Sequence, residues 1–318
     1  MKIFMHLGLG KTGTSFMQSA LALSTENLDS IGIHYPLRAG VQARAADGET
    51  TSGNTRPTIE GVQNRIKVAR RKGFDQVLLS NEAFFKRLLK DFYLDTIVRA
   101  HPDTEAKLLM FIRNPFDHAI STYHQQVKGK GYSKSFEEFV QYYNLPSATA
   151  NFINMTKDRD YCDLTVLNYD NNKQSLMQRF AEFLSVPLET FVLPERGIIN
   201  RSMTRSELYL LSVFNRKIGK QTRFISNALC ENTPNIRPQS PEASRPVIEE
   251  FYARVSDEVE DLNGVIDAGQ QLEIPSLDEV LARFAADGES GGETISFSRE
   301  QIDALADAIA DRIPSEDD

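Results

Sequence analysis

Lys2-Ile-Phe-Met-His-Leu7 runs directly into Gly8-Leu-Gly-Lys-Thr-Gly-Thr-Ser15, and Phe16-Met-Gln-Ser-Ala-Leu-Ala-Leu23 follows. The first six residues form a short, largely apolar run, the pattern of a strand buried on both faces. Residues 14–23 read as a helix. Between them lies a turn with three glycines, three hydroxyls and a lysine. Glycine lets the backbone adopt positive φ and bring its N–H groups up to a polyanion. The start of the following helix adds aimed donors and a partial positive charge. The stretch therefore reads as a phosphate cradle. Gly8 and Gly13 have the spacing of the nucleotide-triphosphatase loop Gly-x-x-x-x-Gly-Lys-[Ser/Thr], but Thr14 stands where that lysine belongs. The lysine is Lys11, in the middle of the loop. A lysine there can reach a bridging oxygen and stabilise charge on a departing phosphate. Transfer of a sulfuryl group, which carries less charge than a phosphoryl group, suits such direct cationic contacts without a divalent ion.

A second stretch, Leu108-Leu-Met-Phe-Ile-Arg-Asn-Pro-Phe-Asp-His-Ala-Ile-Ser-Thr-Tyr-His124, has the same strand-to-helix form. The strand ends near Arg113. Asn114 is a good helix cap, Pro115 suits the first helical position and Asp117 the first turn. Arg113 is thus expected at the carboxyl end of a strand, where open α/β sheets bind ligands. Ser121 follows two turns along the helix. An arginine and a hydroxyl so arranged can clamp one phosphate, the guanidinium binding with two parallel hydrogen bonds.

Apolar runs recur at Gln76–Ser80, Lys107–Ile112 and Asp163–Asn168, separated by helical patterns, among them residues 60–72 with Val62, Ile66 and Ala69 on one face and Gly73 as the stop. The class is α/β, a parallel sheet flanked by helices. Residues 38–58 have no clear period and read as a long loop. Ser135/Glu138, Thr204/Glu207 and Ser298/Gln301 have capping-box spacing, and Phe297 and Ile302 occupy staple positions about the last.

At this point the chain resembles the PAPS-dependent sulfotransferases, over roughly residues 1–220. Lys11-Thr-Gly-Thr-Ser15 is similar to their 5′-phosphosulfate loop, and Arg113-Asn-Pro-x-Asp-x-x-x-Ser-x-Tyr123 to their 3′-phosphate motif. The resemblance implies a P-loop nucleotide-kinase-like fold and a co-substrate, 3′-phosphoadenosine-5′-phosphosulfate (PAPS). It gives Lys11, Thr12, Gly13, Thr14 and Ser15 to the phosphosulfate, and Arg113 and Ser121 to the 3′-phosphate. Asn200-Arg-Ser202 resembles segments that close the donor pocket in bacterial relatives, so Arg201 is a further donor-contact candidate. Tyr169-Asp170 also recurs in them, with no role evident from the sequence. A base must accept the acceptor's proton. Glu82, just after the second apolar run, is the first candidate, because several carbohydrate-sulfating relatives use a glutamate. His34, His118 and His124 are weaker ones, and the lysine–threonine–histidine pattern of the steroid- and phenol-sulfating branch is absent. The bacterial, carbohydrate-type branch is the closer likeness, with a carbohydrate or glycolipid hydroxyl as acceptor. Residues 38–58 and Lys128–Lys134 are candidates to shape its cleft.

The remaining features narrow the class. With 318 residues and 41% hydrophobic composition the chain can bury one sizeable core. It contains no run of about 18 apolar residues that would span a membrane, and a core strand beginning at residue 2 suggests a cytoplasmic protein without a cleaved leader. A net charge of −8 argues against a nucleic-acid surface while leaving room for a local basic pocket. Cys162 and Cys230 form no CxxC pattern, and the five histidines form no ligand ladder, so no metal is expected. The expected organisation is a catalytic domain over 1–286, a flexible Gly/Ser linker over 287–293 and an amphipathic helix over 294–318. Ile302, Leu305, Ile309 and Ile313 form the apolar face of that helix, which either packs on its own domain or serves docking or homo-oligomer formation. Two other readings compete: an ATP- and magnesium-dependent phosphotransferase, and a binding module that kept the fold and lost transfer.

Overall fold

A computed structural model describes residues 1–38, 40–46, 53–194, 201–286 and 295–312. Five strands, β1 (Lys2–Leu7), β2 (Ile33–His34), β3 (Gln76–Asn81), β4 (Glu105–Ile112) and β5 (Cys162–Asn168), form one sheet in the order β2-β3-β1-β4-β5. Every pairing is parallel, and Leu7 lies between Asn81 on β3 and Met110 on β4. Strands buried on both faces explain why the apolar runs are continuous rather than alternating. The chain leaves β1 toward one edge of the sheet and leaves β4 toward the other. Their carboxyl ends flank a topological switch point, the place where open α/β sheets bind ligands.

The chain divides into two units, Met1–Asn114 with Leu145–Ile198 and Glu258–Leu272, and Pro115–Asn144 with Ile199–Asp257 and Glu273–Asp318. The first carries the whole sheet. Its core packs Met17 and Leu21 of the helix Thr14–Leu23 against Phe4, Leu78, Leu109 and Phe111 of the strands, with Phe180 and Leu184 of the helix Leu176–Leu184. β2 is only two residues long and pairs only with Gln76 and Val77. Asn54, itself buried, takes the rest of that edge of β3: its amide donates to the Leu78 carbonyl (2.9 Å), its amide oxygen accepts from the Ser80 N–H (3.0 Å), and its N–H donates to the Ser80 carbonyl (3.0 Å). An unpaired strand edge is thereby closed by the backbone and side chain of one residue.

Part of the stretch expected as a long loop is ordered differently. Val41–Ala46 is a helix, and Val41 and Ala45, one turn apart, bury themselves against Ala22. A two-residue apolar face is too short to register as a period in sequence. Residues 39 and 47–52 of that stretch lie outside the described residues.

The second unit is helical. Asn215 on the helix Arg205–Ile218 donates to the carbonyls of Val127 and Tyr132, both at 2.8 Å, and fixes the segment after the helix Pro115–Lys130. The capping boxes at Ser135, Thr204 and Ser298 are all formed. The last described helix, Arg299–Ala310, packs on the helix Arg223–Asn232. Its buried positions are Gln301 and Ala304, whereas Ile302 is 53% exposed and Ile309 42%. Of the apolar face named from the sequence, Leu305 is half-buried while Ile302 and Ile309 face solvent. Gln301 points inward instead, its amide donating to the buried Glu207 carboxylate at 2.7 Å. The Gly/Ser stretch 287–293 and Ile313 lie outside the described residues.

His6, fully buried on β1, shares a hydrogen bond with the Ser80 hydroxyl (2.9 Å) and stands edge-on to Phe111 and Phe180. Burial pushes its pKa down from 6.5 to about 4. Between those values the unfolded chain binds a proton that the folded chain does not, so stability is full above pH ~6.5 and declines as pH falls toward ~4, by about 3 kcal/mol in total. Urea unfolding from pH 7 to 4 checks this, and a midpoint that stays flat from pH 7 to 5 would exclude a neutral, buried His6.

Candidate active site

The loop after β1 is held by its own atoms. Lys11 has φ of 70° and Gly13 has φ of 75°, both in the left-handed region. For lysine that conformation costs about 1–2 kcal/mol, and three contacts hold it there. The Thr12 hydroxyl, buried, donates to the Leu9 carbonyl at 2.6 Å. The Arg113 guanidinium donates to the Lys11 carbonyl at 3.2 Å. A β-carbon on Gly13 would come within 2.7 Å of Leu176 Cδ1 and 3.4 Å of Tyr169 Cε2, so the loop is seated against the neighbouring chain. The helix Thr14–Leu23 then starts directly from Gly13.

Glu82 closes the opposite side. It follows β3, and a β-carbon on Gly8 would lie 2.8 Å from its Cα. The Gly8 N–H donates to the Asn81 carbonyl at 3.2 Å. The Thr14 hydroxyl donates to Glu82 Oε1 at 2.7 Å. Lysine loop and carboxylate are thus joined directly. Ser15, half-buried, has no hydrogen-bond partner among the described residues.

Arg113 follows β4 as expected. It lies over the Tyr169 ring, 5.4 Å from the centroid, and its Nε is 3.6 Å from Asp170 Oδ1. That is an ion pair but too long for a hydrogen bond, and the buried Nε has no hydrogen-bond partner among the described residues. Asp170 also accepts the Asn114 N–H at 2.8 Å. Tyr169 and Asp170, for which the sequence offered no role, therefore position Arg113, and Tyr169 also abuts Gly13. A buried donor without a partner is costly until an anion arrives. The arginine, the Ser15 hydroxyl and the loop lysine fit the phosphates of a nucleotide donor.

The other candidates lie as follows. Ser121 is half-buried on the helix Pro115–Lys130, within the second unit, with no hydrogen-bond partner among the described residues. Arg201 belongs to the same unit and is saturated. Its guanidinium binds both oxygens of Glu207 (2.6 and 2.8 Å), the carbonyls of Ser202, Leu229 and Thr233, and the Thr233 hydroxyl. A donor contact by Arg201 would require that network to open. Asn200 lies outside the described residues. His34 stacks on Phe74 and pairs with Asp29, His118 meets the Tyr143 hydroxyl at 3.1 Å, and His124 accepts the Met203 N–H at 2.9 Å. Each of these three histidines is built into packing. Among the described residues no group of three His, Cys, Asp or Glu side chains could hold a metal ion, and no helix is long and apolar enough to cross a membrane.

A glycine loop after the first strand, a lysine in its middle and an arginine after the adjacent strand define a nucleotide-dependent transferase. The profile of the sulfotransferase domain family matches residues 3–206, and the chain belongs to that family. It is a PAPS-dependent sulfotransferase. Among solved structures, a retinol dehydratase in complex with androsterone and the inactive cofactor PAP is similar, at 10% identity over 86% of this chain and 82% of that chain, with a TM-score of 0.32. No curated protein matches.

Two substitutions test this architecture. Gly8→Ala sets a new methyl against the Glu82 backbone, which has no rotamer to yield, so the loop and the carboxylate must separate. Activity should fall at least tenfold with a smaller change in melting temperature, and wild-type turnover would show that the contact is dispensable. Glu207→Ala leaves Arg201 buried and unpaired, with a loss of about 3–5 kcal/mol in denaturant unfolding. A loss below about 1 kcal/mol would show that the network carries little of the second unit's stability.

Proposed function

We propose that the chain transfers a sulfuryl group from PAPS to a hydroxyl of a carbohydrate or glycolipid, in line and without a metal, with Lys11 and Glu82 as catalytic residues. The observation that carries this reading is the 2.7 Å hydrogen bond from Thr14 to Glu82, which ties the base to the phosphosulfate loop. The bound donor supplies the sulfuryl group and a bisphosphate that leaves as the new S–O bond forms and the old one breaks. Glu82 accepts the hydroxyl proton. A donated hydrogen bond at Oε1 suits the ionised carboxylate and orients it, leaving Oε2 for the acceptor. The Lys11 ammonium offsets charge that grows on the leaving phosphate, and the backbone N–H groups and Ser15 hydroxyl hold its oxygens.

The 3′-phosphate falls to Arg113, with Ser121 on the helix that follows it in the chain. The Arg113 Nε is a donor waiting for such a group. Thr12 and Thr14 would meet the phosphosulfate through their backbone N–H groups. Their hydroxyl protons go to Leu9 and Glu82, so their side chains shape the loop. The preference for a glycan acceptor rests on Glu82 as base. The histidines that serve other branches are here engaged in packing.

Calorimetry and turnover separate the roles. Lys11→Ala should lower kcat about a hundredfold while the Kd for adenosine 3′,5′-bisphosphate (PAP) changes less than about fivefold, since the lost interaction belongs to the transition state. Arg113→Ala should weaken PAP binding about ten- to hundredfold. Glu82→Gln should remove turnover and leave PAP binding intact, and EDTA should change neither. Full activity in both Lys11→Ala and Glu82→Gln, or PAP binding that requires magnesium, would overturn the assignment.

A further inference from the structure

The first unit holds a second feature, linked to the end of β3, that the transfer reaction does not use. A cavity of about 710 Å³ is lined by Arg38, Arg56 and Arg65, with Thr55, Asn64 and Glu60 on its wall. Arg38 and Arg56 are exposed and Arg65 is half-buried. The burial of Arg65 and the nearby charge of Arg38 both hold its guanidinium pKa below the usual value. Among the described residues none of the three forms an ion pair, Glu60 included; Arg65 donates one hydrogen bond, to the Asn54 carbonyl at 2.7 Å. Cations that repel one another around a cavity in a chain of net charge −8 are the arrangement an anion relieves.

The cavity is tied to the candidate base through the backbone. Asn81, the residue before Glu82, donates its side-chain amide to the Thr55 carbonyl at 2.8 Å. Gly53 lies so close to β3 that a β-carbon would meet the Ser80 carbonyl at 2.2 Å. The turn carrying Arg56 is equally fixed: Thr58 caps the helix Ile59–Arg71 through the Gly61 N–H, and a β-carbon on Gly61 would strike the Arg56 carbonyl. The arginine wall thus stands at a set position on the side of Glu82 where the Thr55 and Asn81 contacts lie.

We infer that this cavity binds an anionic group of the acceptor, so that the substrate is an acidic saccharide carrying a carboxylate, sulfate ester or phosphate ester near the hydroxyl to be sulfated. The inference rests on the sulfotransferase reading of Glu82 and deepens it. Guanidinium pairs recognise planar and tetrahedral oxyanions with parallel hydrogen bonds. Asn64, exposed on the same wall, adds a neutral partner suited to a sugar hydroxyl.

The test is an NMR titration of the full chain, saturated with PAP, with glucuronate, glucose 6-sulfate, glucose 6-phosphate and glucose. At least one acidic sugar should bind tenfold more tightly than glucose, and which one wins identifies the anion. In Arg38→Ala/Arg56→Ala, two exposed positions whose loss spares the core, that preference should disappear while PAP binding keeps its Kd. Arg65→Lys, which retains the charge but loses the fork, should reduce the preference at least threefold. Equal binding of all four sugars to the wild type, or a preference that survives the double substitution, overturns the inference. PAP binding is scored separately. If PAP fails to bind the wild type, the donor reading falls, and the sugar titration still decides whether the cavity selects anions.

Discussion

The left-handed turn at Lys11 is the constraint on which the site depends. A lysine does not hold φ of 70° unaided, and the contacts that hold it come from three directions: the Thr12 hydroxyl within the loop, Arg113 from the end of β4, and the close seating of Gly13 against Leu176 and Tyr169. Two sequence motifs a hundred residues apart are therefore one hydrogen-bonded object. Arg113 fixes the carbonyl of the residue proposed to act through its ammonium, and the strand order that puts β4 beside β1 makes the contact available. Tyr169 and Asp170, from the end of β5, complete the support one strand further out. The carboxyl ends of three consecutive strands in the sheet thus build the donor side, and β3 brings Glu82 from the other.

The shifted lysine also accounts for the company it keeps. In a loop with its lysine at the helix start, the cation stands beside the terminal phosphate and a metal shares the charge. With the lysine in the middle of the turn, the position it vacates is taken by Thr14, and Thr14 reaches across to Glu82. In the proposed reaction, one replacement moves a positive charge toward the leaving group and also orients the base. That coupling explains why the loop and the carboxylate touch through backbone at Gly8, where no larger residue fits.

Much of this was legible in the chain. Continuous apolar runs gave away a parallel sheet, the glycine loop and the Arg113 segment lie where strand ends were expected, and three capping boxes were readable from four-residue spacings. Other features were not, for physical reasons. A two-residue strand and a one-and-a-half-turn helix have too few apolar positions to form a period. Which face of the last helix turns inward was left open by its sequence, because the inward position is taken by a glutamine that meets the buried Glu207 while two isoleucines stay in solvent. The role of Tyr169-Asp170 depends on which strands are neighbours, and sequence order does not reveal that. The arginine cavity joins Arg38 and Arg56, from a stretch with no clear period, to Arg65 on the helix Ile59–Arg71, and no spacing in the sequence brings the three together.

The arginines of this chain show what separates support from function. Arg201 meets a carboxylate with two short bonds and fills its remaining donors with carbonyls and a hydroxyl, so nothing remains for a ligand. Arg113 is held by stacking and a distant carboxylate, and its Nε is left over. Arg65 is anchored by a single carbonyl and pressed by a like charge. A guanidinium has five donors in a rigid fork, and a fold that needs only its packing satisfies them. Where donors are left over beside a cavity or a phosphate loop, the missing partner is an anion brought from outside. That criterion is what the two proposals share: a nucleotide at Arg113 and the phosphate loop, and an acidic acceptor at the cavity lined by Arg38, Arg56 and Arg65.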